Sequence, residues 1–453
     1  MNATGISFTI LASLLLLSLP RRLAAIPLLL GAAYMTRGQI LALGPANLTV
    51  LRILVVVGFV RVLARGEHLA NGTNPVDRLL ILWAIVLVGT SAFHTSDAWI
   101  FRTGVVWTEL GCYFLFRTFL ADWRDVVHVF KSACLLMAPL AVLMLVEKSS
   151  GQNIFGALGG VNQAALVRDD HIRASGPFVH PILAGTAGAT CFGMAAYLWR
   201  YHRLYALVGL FAAAGIVGAS TSSGPILMIA FVLLGLFLWK ARDHMRMVRW
   251  LAMTAILALA AVMHDPVYFL AARVDVVGGS QGYYRAQLIR SSIEHFDEWW
   301  LVGTDYTRHW MATGIYANDR HADIPNHILA MGVMGGLVLM LLFLMMVVAA
   351  FRAVGRALRS HPDAPPEHRF LIWSLGALLF AHLLNFLSIS LFDQSILFFY
   401  IVLAAIGAVQ SGKDSPVGNV DARTRKSTVL AMDGRALAIG TPARNHWKFN
   451  RQD

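Results

Sequence analysis

The sequence predicts an all-α polytopic membrane protein, and three observations support this fold class. Of the 453 residues, 57% are hydrophobic and only 14% are charged, whereas soluble globular proteins contain about 25% charged residues. The mean hydropathy is +0.62. Apolar stretches recur along the chain, and most are long enough, at about 17–25 residues, to cross about 30 Å of hydrocarbon as helices. We therefore expect about 12 or 13 transmembrane helices, with one large external loop that carries short helices.

The predicted spans follow the apolar stretches in chain order: 6–20, 23–36, 48–63, 79–93, 104–120, 129–146, 178–198, 204–219, 225–240, 249–263, 327–350, 370–390 and 392–409. The first has no basic segment before it and no clear small-residue cleavage site, so it is interpreted as a retained span. With external loops at 147–177 and 264–326, the spans form a predicted transmembrane helical domain over residues 1–409. Residues 410–453 are polar and rich in small residues, which predicts a disordered, basic cytoplasmic tail.

The placement of charge predicts the topology. The net charge of +12 does not indicate a nucleic-acid partner, because lysine and arginine are concentrated in the short connections and the tail. Basic connections at 200–203, 240–249 and 352–369 are therefore assigned to the cytoplasmic side. Both large loops then lie on the opposite, periplasmic face. The basic tail suits an anionic surface, so membrane lipids are predicted partners.

Sequence motifs give no indication of a metal or a cofactor. The three cysteines lie in or near apolar spans and form neither a disulfide framework nor a zinc motif. The sequence has no Walker loop, no HExxH and no Asp-rich metal motif, so no cofactor and no metal site are predicted. Ionisable and amide side chains within the spans are expected to line the interior or an interface. They are Arg52, Arg102, Glu109, Arg117, His382, Asn385 and Asp393.

The first candidate site lies where the 147–177 loop enters a span. Gly176-Pro177 breaks the chain and a proline follows His180, so a helix is predicted to begin near His180. The N-terminus of this helix and the nearby Arg173 would together form an anion site. An arginine that meets lipid headgroups explains the same residues equally well.

The second candidate is an amphipathic helix predicted from Gly282 to Trp300, with aromatic residues at both ends as in interfacial helices. It would direct Arg285 toward an anionic, lipid-linked group. Arg290 and Glu294 share a face because they are four residues apart. The alternative is a loop helix whose arginines pair with its own carboxylates.

The third candidate is the segment from His321 to Leu329, directly before a glycine-rich span. Asn326 and His327 are predicted at the lipid–water boundary, near the start of a helix. A histidine there can act as a general base, since its ordinary pKa is near 6.5. The alternative is a boundary histidine with a structural role.

In this order, the motifs resemble the O-antigen ligase and polymerase family of bacterial membrane glycosyltransferases, of the GT-C class. The resemblance covers about residues 160–390 of the chain. The matching segments are the block from Arg173 to Pro181, the Ser/Gly turn at 220–225, the Tyr284-Arg285 helix, the segment 300–304, and the run 325–329 followed by Gly332, Gly335 and Gly336. Two positions depart from the family pattern. Ser223 stands where the family has arginine, and Asn326-His327 stands where it more often has His-Asn.

The resemblance implies an enzyme of the bacterial inner membrane, with its active site facing the periplasm and without metal or nucleotide sugar. Its donor would be an undecaprenyl-diphosphate-linked glycan. Arg173 and Arg285 are the candidates to hold the diphosphate, and Arg290 on the same helix is a third. His327, or His321 in its place, is the candidate base on the acceptor hydroxyl. The supporting residues are His180, Asn326 and Asp323.

Three functions follow from these observations, and the favoured one is a polymerase that joins lipid-linked oligosaccharide repeats into an exopolysaccharide or O-antigen. The second is an O-antigen ligase, which would share the donor but use lipid A–core in place of a glycan as acceptor. A chain-length regulator is a further predicted partner of the polymerase. The third is a transporter of a lipid-linked or anionic substrate. It would need ionisable residues at mid-depth in broken helices, whereas here they are concentrated in the external loops.

Overall fold

The computed structural model describes residues 1–44, 46–70, 72–270, 282–311 and 318–410. These residues lie in one compact unit, Met1–Ser411. The predicted disordered tail, from residue 411 onward, lies outside the described residues. The helices are α1 (Ala3–Ser18), α2 (Ala25–Tyr34), α3 (Val50–Arg65), α4 (Pro75–Gly89), α5 (Ser96–Phe119), α6 (Trp123–Ser150), α7 (Pro181–Leu198), α8 (Arg203–Ser220), α9 (Ser223–Phe237), α10 (Met245–Val262), α11 (Gly282–Glu294), α12 (Phe296–Trp299), α13 (His327–Ser360), α14 (Pro366–Asn385) and α15 (Ile396–Val409).

The predicted fold class is confirmed, and each predicted span coincides with one of these helices. Within the described ranges, six helical segments are long and apolar enough to cross a membrane. They are Pro75–Phe93, Trp123–Ser150, Pro181–Leu198, Arg203–Ser220, Ser223–Val262 and His327–Ser360. Two of the remaining spans coincide with shorter apolar helices, α1 and α15. The chain is therefore an all-α polytopic membrane protein.

Contacts between connections define two ends of the bundle. At the first, which we call the basic end, His202 Nε2 lies 3.2 Å from Glu367 Oε1 and the ring of Trp239 packs against that of Phe370. The basic connections that follow α7, α9 and α13 therefore meet there. The opposite end, which we call the site end, gathers the connections before α7, between α8 and α9, before α13 and between α14 and α15. Both large loops accordingly belong to the site end.

Small residues allow helix α7 to pack at the centre of the bundle. Most of its side chains are buried, and it packs against α6, α8 and α9. A Cβ placed on Gly188 would lie 2.8 Å from Ile216 Cγ2 of α8, so glycine is required for this close approach. His180 and Pro181 begin the helix, and the position of His180 is thereby fixed against the bundle.

Helix α13 is interrupted at Gly335-Gly336, and the external loop fills the interruption. Gly336 has φ 80°, a left-handed value that favours glycine. The N–H of Leu337 donates to Trp300 O at 2.7 Å, and the N–H of Thr304 donates to Val333 O at 2.9 Å. Backbone groups that the break would leave open are thus satisfied by the loop. Because Gly335 lies about 12 Å along the helix from His327, the loop is held well below the start of α13.

Buried polar side chains pair inside the bundle, as expected for ionisable residues within membrane spans. Arg117 Nε lies 3.2 Å from Asp77 Oδ1, and both side chains are almost fully buried. Tyr113 Oη donates to the same oxygen at 2.5 Å. Several of the residues predicted to lie in the interior are buried, namely Arg102, Arg117, His382, Asn385 and Asp393. Arg52 and Glu109 line a partly open cavity.

Candidate functional site

A β-hairpin that the sequence analysis did not predict carries the first arginines of the site. Strands β1 (Ile40–Leu43) and β2 (Ala46–Thr49) form one antiparallel pair near the N-terminus, and β3 (Leu166–Arg168) and β4 (His171–Arg173) form another. In the second hairpin, Asp169 and Asp170 form the turn with φ 49° and 61°, which is the backbone of a two-residue type I′ turn. The register pairs Arg168 with His171 and Leu166 with Arg173. Arg168 and Arg173 therefore share one face of the hairpin.

The Ser/Thr turn between α8 and α9 holds the Arg173 side chain in place. Arg173 Nη2 donates to Ser222 Oγ at 2.8 Å, and Nε donates to Ser220 O at 3.4 Å. Nη1 makes no hydrogen bond to any residue that the structure describes. The guanidinium is thus oriented by the turn, with one nitrogen still able to donate.

Arg285 of α11 is the second predicted arginine, and its side chain is half-buried. Within the described part of the chain, its Nε is shielded from solvent and has no hydrogen-bond partner. The helix is anchored to the segment before α13, because Tyr284 Oη donates to Asp323 O at 2.7 Å. Burial lowers the pKa of Arg285, the charge of Arg168 lowers it further, and Asp323 opposes both effects.

Arg168, Arg173 and Arg285, which we call the arginine group, act on one another electrostatically. Burial lowers the pKa of Arg173 to about 10, and the charges of Arg168 and Arg285 contribute, with Asp169 opposing. Burial, Arg173 and Arg168 together lower the pKa of His180 to about 4. His180 is therefore neutral at pH 7, and its Nδ1 accepts the N–H of Ile182 at 3.2 Å.

The carboxylates near the arginine group do not balance its charge. Asp169 neighbours Arg168 at 3.6 Å and its side chain is mostly exposed. Burial raises the pKa of Asp323, and Arg285 opposes that increase. Three partly desolvated guanidinium groups thus face two carboxylates, one of them solvated. Such an arrangement favours a bound anion, which would relieve the mutual repulsion and use the free donors.

Lys148 adds a cation at the site end that the sequence analysis missed. Its Nζ donates to Thr221 Oγ1 at 2.6 Å and to Gly218 O at 2.8 Å. This places a positive charge at the turn between α8 and α9. The signal in the sequence was a lysine two positions after the apolar stretch 129–146.

Two further side chains position the block from Arg173 to Pro181. Glu147 accepts the N–H groups of Ser175 and Gly176 at 2.9 Å and 2.8 Å. Asp393 Oδ2 accepts the N–H of Val179 at 3.1 Å. The block is thus clamped between α6 and the connection that precedes α15. Neither carboxylate was predicted in this role, because the partners are distant in sequence.

His327 is buried at the first position of α13, where its tautomer is fixed. Asn326 caps the helix, since its Oδ1 accepts the N–H of Leu329 at 3.0 Å. His327 Nδ1 accepts the N–H of Leu391 at 3.3 Å and lies 3.4 Å from Ser390 Oγ. A neutral imidazole that accepts at Nδ1 carries its proton on Nε2. His327 is therefore set up as a donor from Nε2, which does not suit the predicted role of base.

A cavity of about 160 Å³ opens beside His327. Its polar lining includes Arg37, Arg52, Glu109 and Asp393. Arg37 Nη1 donates to Phe392 O at 3.1 Å, which fixes it beside the α14–α15 connection. The cavity thus offers hydrogen-bonding groups beside the His327 side chain.

His321 and Arg290 contact residues other than those of the arginine group. His321 Nδ1 lies 3.4 Å from Thr307 Oγ1. Burial lowers the pKa of His321, Arg320 lowers it further, and Asp305 opposes the change, so the ring is neutral at pH 7. Arg290 Nε pairs with Glu294 Oε1 at 3.0 Å, and both side chains are more than half exposed. The pairing expected from their spacing is present, and Arg290 is occupied by it.

The structure thus places Arg173 close enough to Arg285 and His180, and Arg285 close enough to Asp323, for each pair to interact electrostatically. His321 and His327 lie near Asp323 along the chain. His327 is four positions after Asp323, which limits the distance between their Cα atoms to about 14 Å. Neither protein-family models nor curated proteins include a match to this chain.

Proposed function

We propose that the protein is a polymerase that joins undecaprenyl-diphosphate-linked oligosaccharide repeats at the periplasmic face of a bacterial inner membrane. The observation that carries this proposal is the arginine group. It combines a buried Arg285 Nε, which has no hydrogen-bond partner among the described residues, with two neighbouring arginines and too little negative charge. A diphosphate carries the charge and the acceptor oxygens that such a group lacks.

The proposed reaction uses the arginine group to stabilise the leaving diphosphate. The acceptor hydroxyl oxygen forms a bond to the anomeric carbon of the donor glycan, and the bond from that carbon to the diphosphate oxygen breaks. The diphosphate leaves with the electron pair, and its growing charge is met by fixed guanidinium donors. Arg173 is oriented for this task by the turn that binds its Nε and Nη2.

His321 is the better candidate for the base that takes the proton of the acceptor hydroxyl. Its ring is half-buried and neutral at pH 7 because burial lowers its pKa. His327 would instead donate from Nε2 to an oxygen of the acceptor, since its Nδ1 lone pair is used by Leu391 N–H. The cavity beside His327 supplies a place for part of the acceptor sugar.

Transport is the less favoured function. The break in α13 is the feature that a transporter would use. Here it is filled by backbone of the external loop, through the bonds of Leu337 and Thr304. The unbalanced positive charge lies instead at the site end, where a lipid-linked headgroup would reach it.

The test is deletion of the gene in its host, followed by gel analysis of surface and lipid-linked glycans. Polymerisation predicts loss of high-mass polymer, while single repeats remain on the carrier or reach the surface. Full-length polymer on undecaprenyl diphosphate, together with bare lipid A–core, would instead establish ligation to lipid A–core. Unchanged glycans would contradict both transfer reactions.

A further inference from the structure

A second cluster of ionisable side chains lies in the external loop, separate from the arginine group. His295, Glu298 and His309 each offer a ligand atom, and these atoms lie within 4.8 Å of one another. His295 precedes α12, Glu298 lies on it, and His309 lies in a single turn of 3₁₀ helix, Arg308–Trp310. We call these three residues the histidine cluster.

Hydrogen bonds outside the cluster orient two of its members. His295 Nδ1 contacts Ser291 O at 2.8 Å; because a carbonyl only accepts, Nδ1 carries a proton and Nε2 keeps its lone pair. Glu298 Oε2 accepts the N–H of the buried Trp310 at 2.9 Å, which leaves Oε1 available. Metal-binding histidines and carboxylates are held by outer partners of this kind.

Ring packing fixes the remaining freedom of the histidines. His309 stacks on Tyr306 at an interplanar angle of 9°, and His295 stacks on Trp310 at 22°. His309 Nε2 lies 2.9 Å from Glu298 Oε1. Ligands of tetrahedral zinc are about 3.4 Å apart, given metal–ligand distances near 2.1 Å, so only a small shift would admit an ion.

The three side chains combine the ligand types of a zinc site. Two imidazoles and one carboxylate form a ligand set that zinc prefers, with a fourth position for water.

We propose that His295, Glu298 and His309 bind one Zn²⁺ ion that fastens the external loop. The ion would join the end of α11 and helix α12 to the turn at residues 308–310. Since α11 carries Arg285, the site would hold this arginine in place without touching the glycan donor. The proposal does not depend on the proposed glycosyl transfer.

Zinc binding to the untagged, full-length protein in detergent tests the proposal directly. After treatment with EDTA and dialysis, zinc titration should give one ion per chain and a higher unfolding temperature. In the double variant with His295→Ala and His309→Ala, the affinity should fall at least tenfold, and zinc should no longer raise the unfolding temperature. Equal zinc binding by this variant and the unaltered protein would overturn the proposal.

Matched variants separate loss of the ion from loss of the fold. Glu298→Gln keeps an oxygen acceptor for Trp310 and should also weaken zinc binding at least tenfold. His68→Ala removes an exposed histidine outside the cluster, and Glu294→Gln removes a carboxylate from α11. Both controls should bind zinc like the unaltered protein. If Glu298→Gln bound zinc with the affinity of the unaltered protein, Glu298 and His309 would form an ion pair and no zinc site.

Discussion

Replacement of Arg285 by glutamine should abolish most activity without destabilising the protein. Its guanidinium is half-buried and repelled by Arg168, and its Nε has no hydrogen-bond partner in the part of the chain that the structure describes. Burial and the neighbouring charges lower the pKa of Arg173 to about 10. At about 1.4 kcal/mol per pKa unit, the charged Arg173 carries a penalty of about 3 kcal/mol. Removal of the Arg285 charge should decrease this penalty on Arg173, and so stabilise the fold, by about 1 kcal/mol or less.

Turnover should fall strongly in Arg285→Gln, although the stability of the fold should rise slightly. Loss of one fixed donor to a developing charge commonly lowers kcat by about 100- to 1000-fold, or about 2.7–4 kcal/mol. The assay follows polymer bands formed by purified protein from a lipid-diphosphate-linked repeat unit, alongside thermal unfolding of the same preparation. Arg285→Gln should lose the bands and keep its unfolding temperature.

Arg290→Gln is the matched control, because it makes the same chemical change on the same helix. Arg290 is exposed and paired with Glu294, and such a pair contributes only about 0.3–0.5 kcal/mol. Its activity should stay within about twofold of the unaltered protein. Three results would contradict this role of Arg285: Arg285→Gln retains turnover, both variants lose it equally, or Arg285→Gln fails to accumulate in the membrane.

Four further predictions follow from the structure. His180 has a pKa lowered to about 4, so its contribution to stability should be complete above its ordinary pKa near 6.5. Between pH 6.5 and pH 4, the free energy of unfolding should fall by up to about 1.4 kcal/mol per pH unit. Thermal unfolding across this range should show a weaker pH dependence for His180→Asn, which can still cap α7. Gly336→Ala should destabilise the protein by about 1–3 kcal/mol, because φ is 80° and the new Cβ would meet Leu301 O. Gly218→Ala, whose new Cβ meets nothing within 4 Å, should be neutral or stabilising in the same unfolding measurement. Asp77→Asn should cost about 3–5 kcal/mol by leaving Arg117 buried and uncompensated, which an unfolding temperature equal to that of the unaltered protein would contradict. His321→Ala should lower kcat more than His327→Ala in the polymer assay, and the reverse order would return the role of base to His327.

The sequence was sufficient to predict the helices because burial in lipid imposes a length and a composition on each span. It also singled out Arg173 and Arg285, since an arginine beside a chain break and one on an amphipathic loop helix are visible locally. The predicted turn at residues 220–225 was correctly placed between two helices, although its contact with Arg173 was not foreseen.

The features that the sequence did not reveal depend on contacts between distant segments. The Asp169-Asp170 turn adopts left-handed backbone that glycine or asparagine would have signalled more strongly. The tautomer of His327 is set by Leu391, and the anchoring of the block from Arg173 to Pro181 is set by Glu147 and Asp393. The histidine cluster joins His309 to residues 11 and 14 positions earlier, a spacing that matches no metal motif.

The most direct test of the central claim supplies the purified protein with an undecaprenyl-diphosphate-linked repeat unit as the only donor and the only acceptor. The expected product is a ladder of glycans that lengthen by one repeat and remain on the lipid, with one undecaprenyl diphosphate released for each new bond. Arg290→Gln should give the same ladder and Arg285→Gln none. If the folded, unaltered protein binds the repeat unit but forms no ladder and releases no undecaprenyl diphosphate, the arginine group does not serve polymerisation.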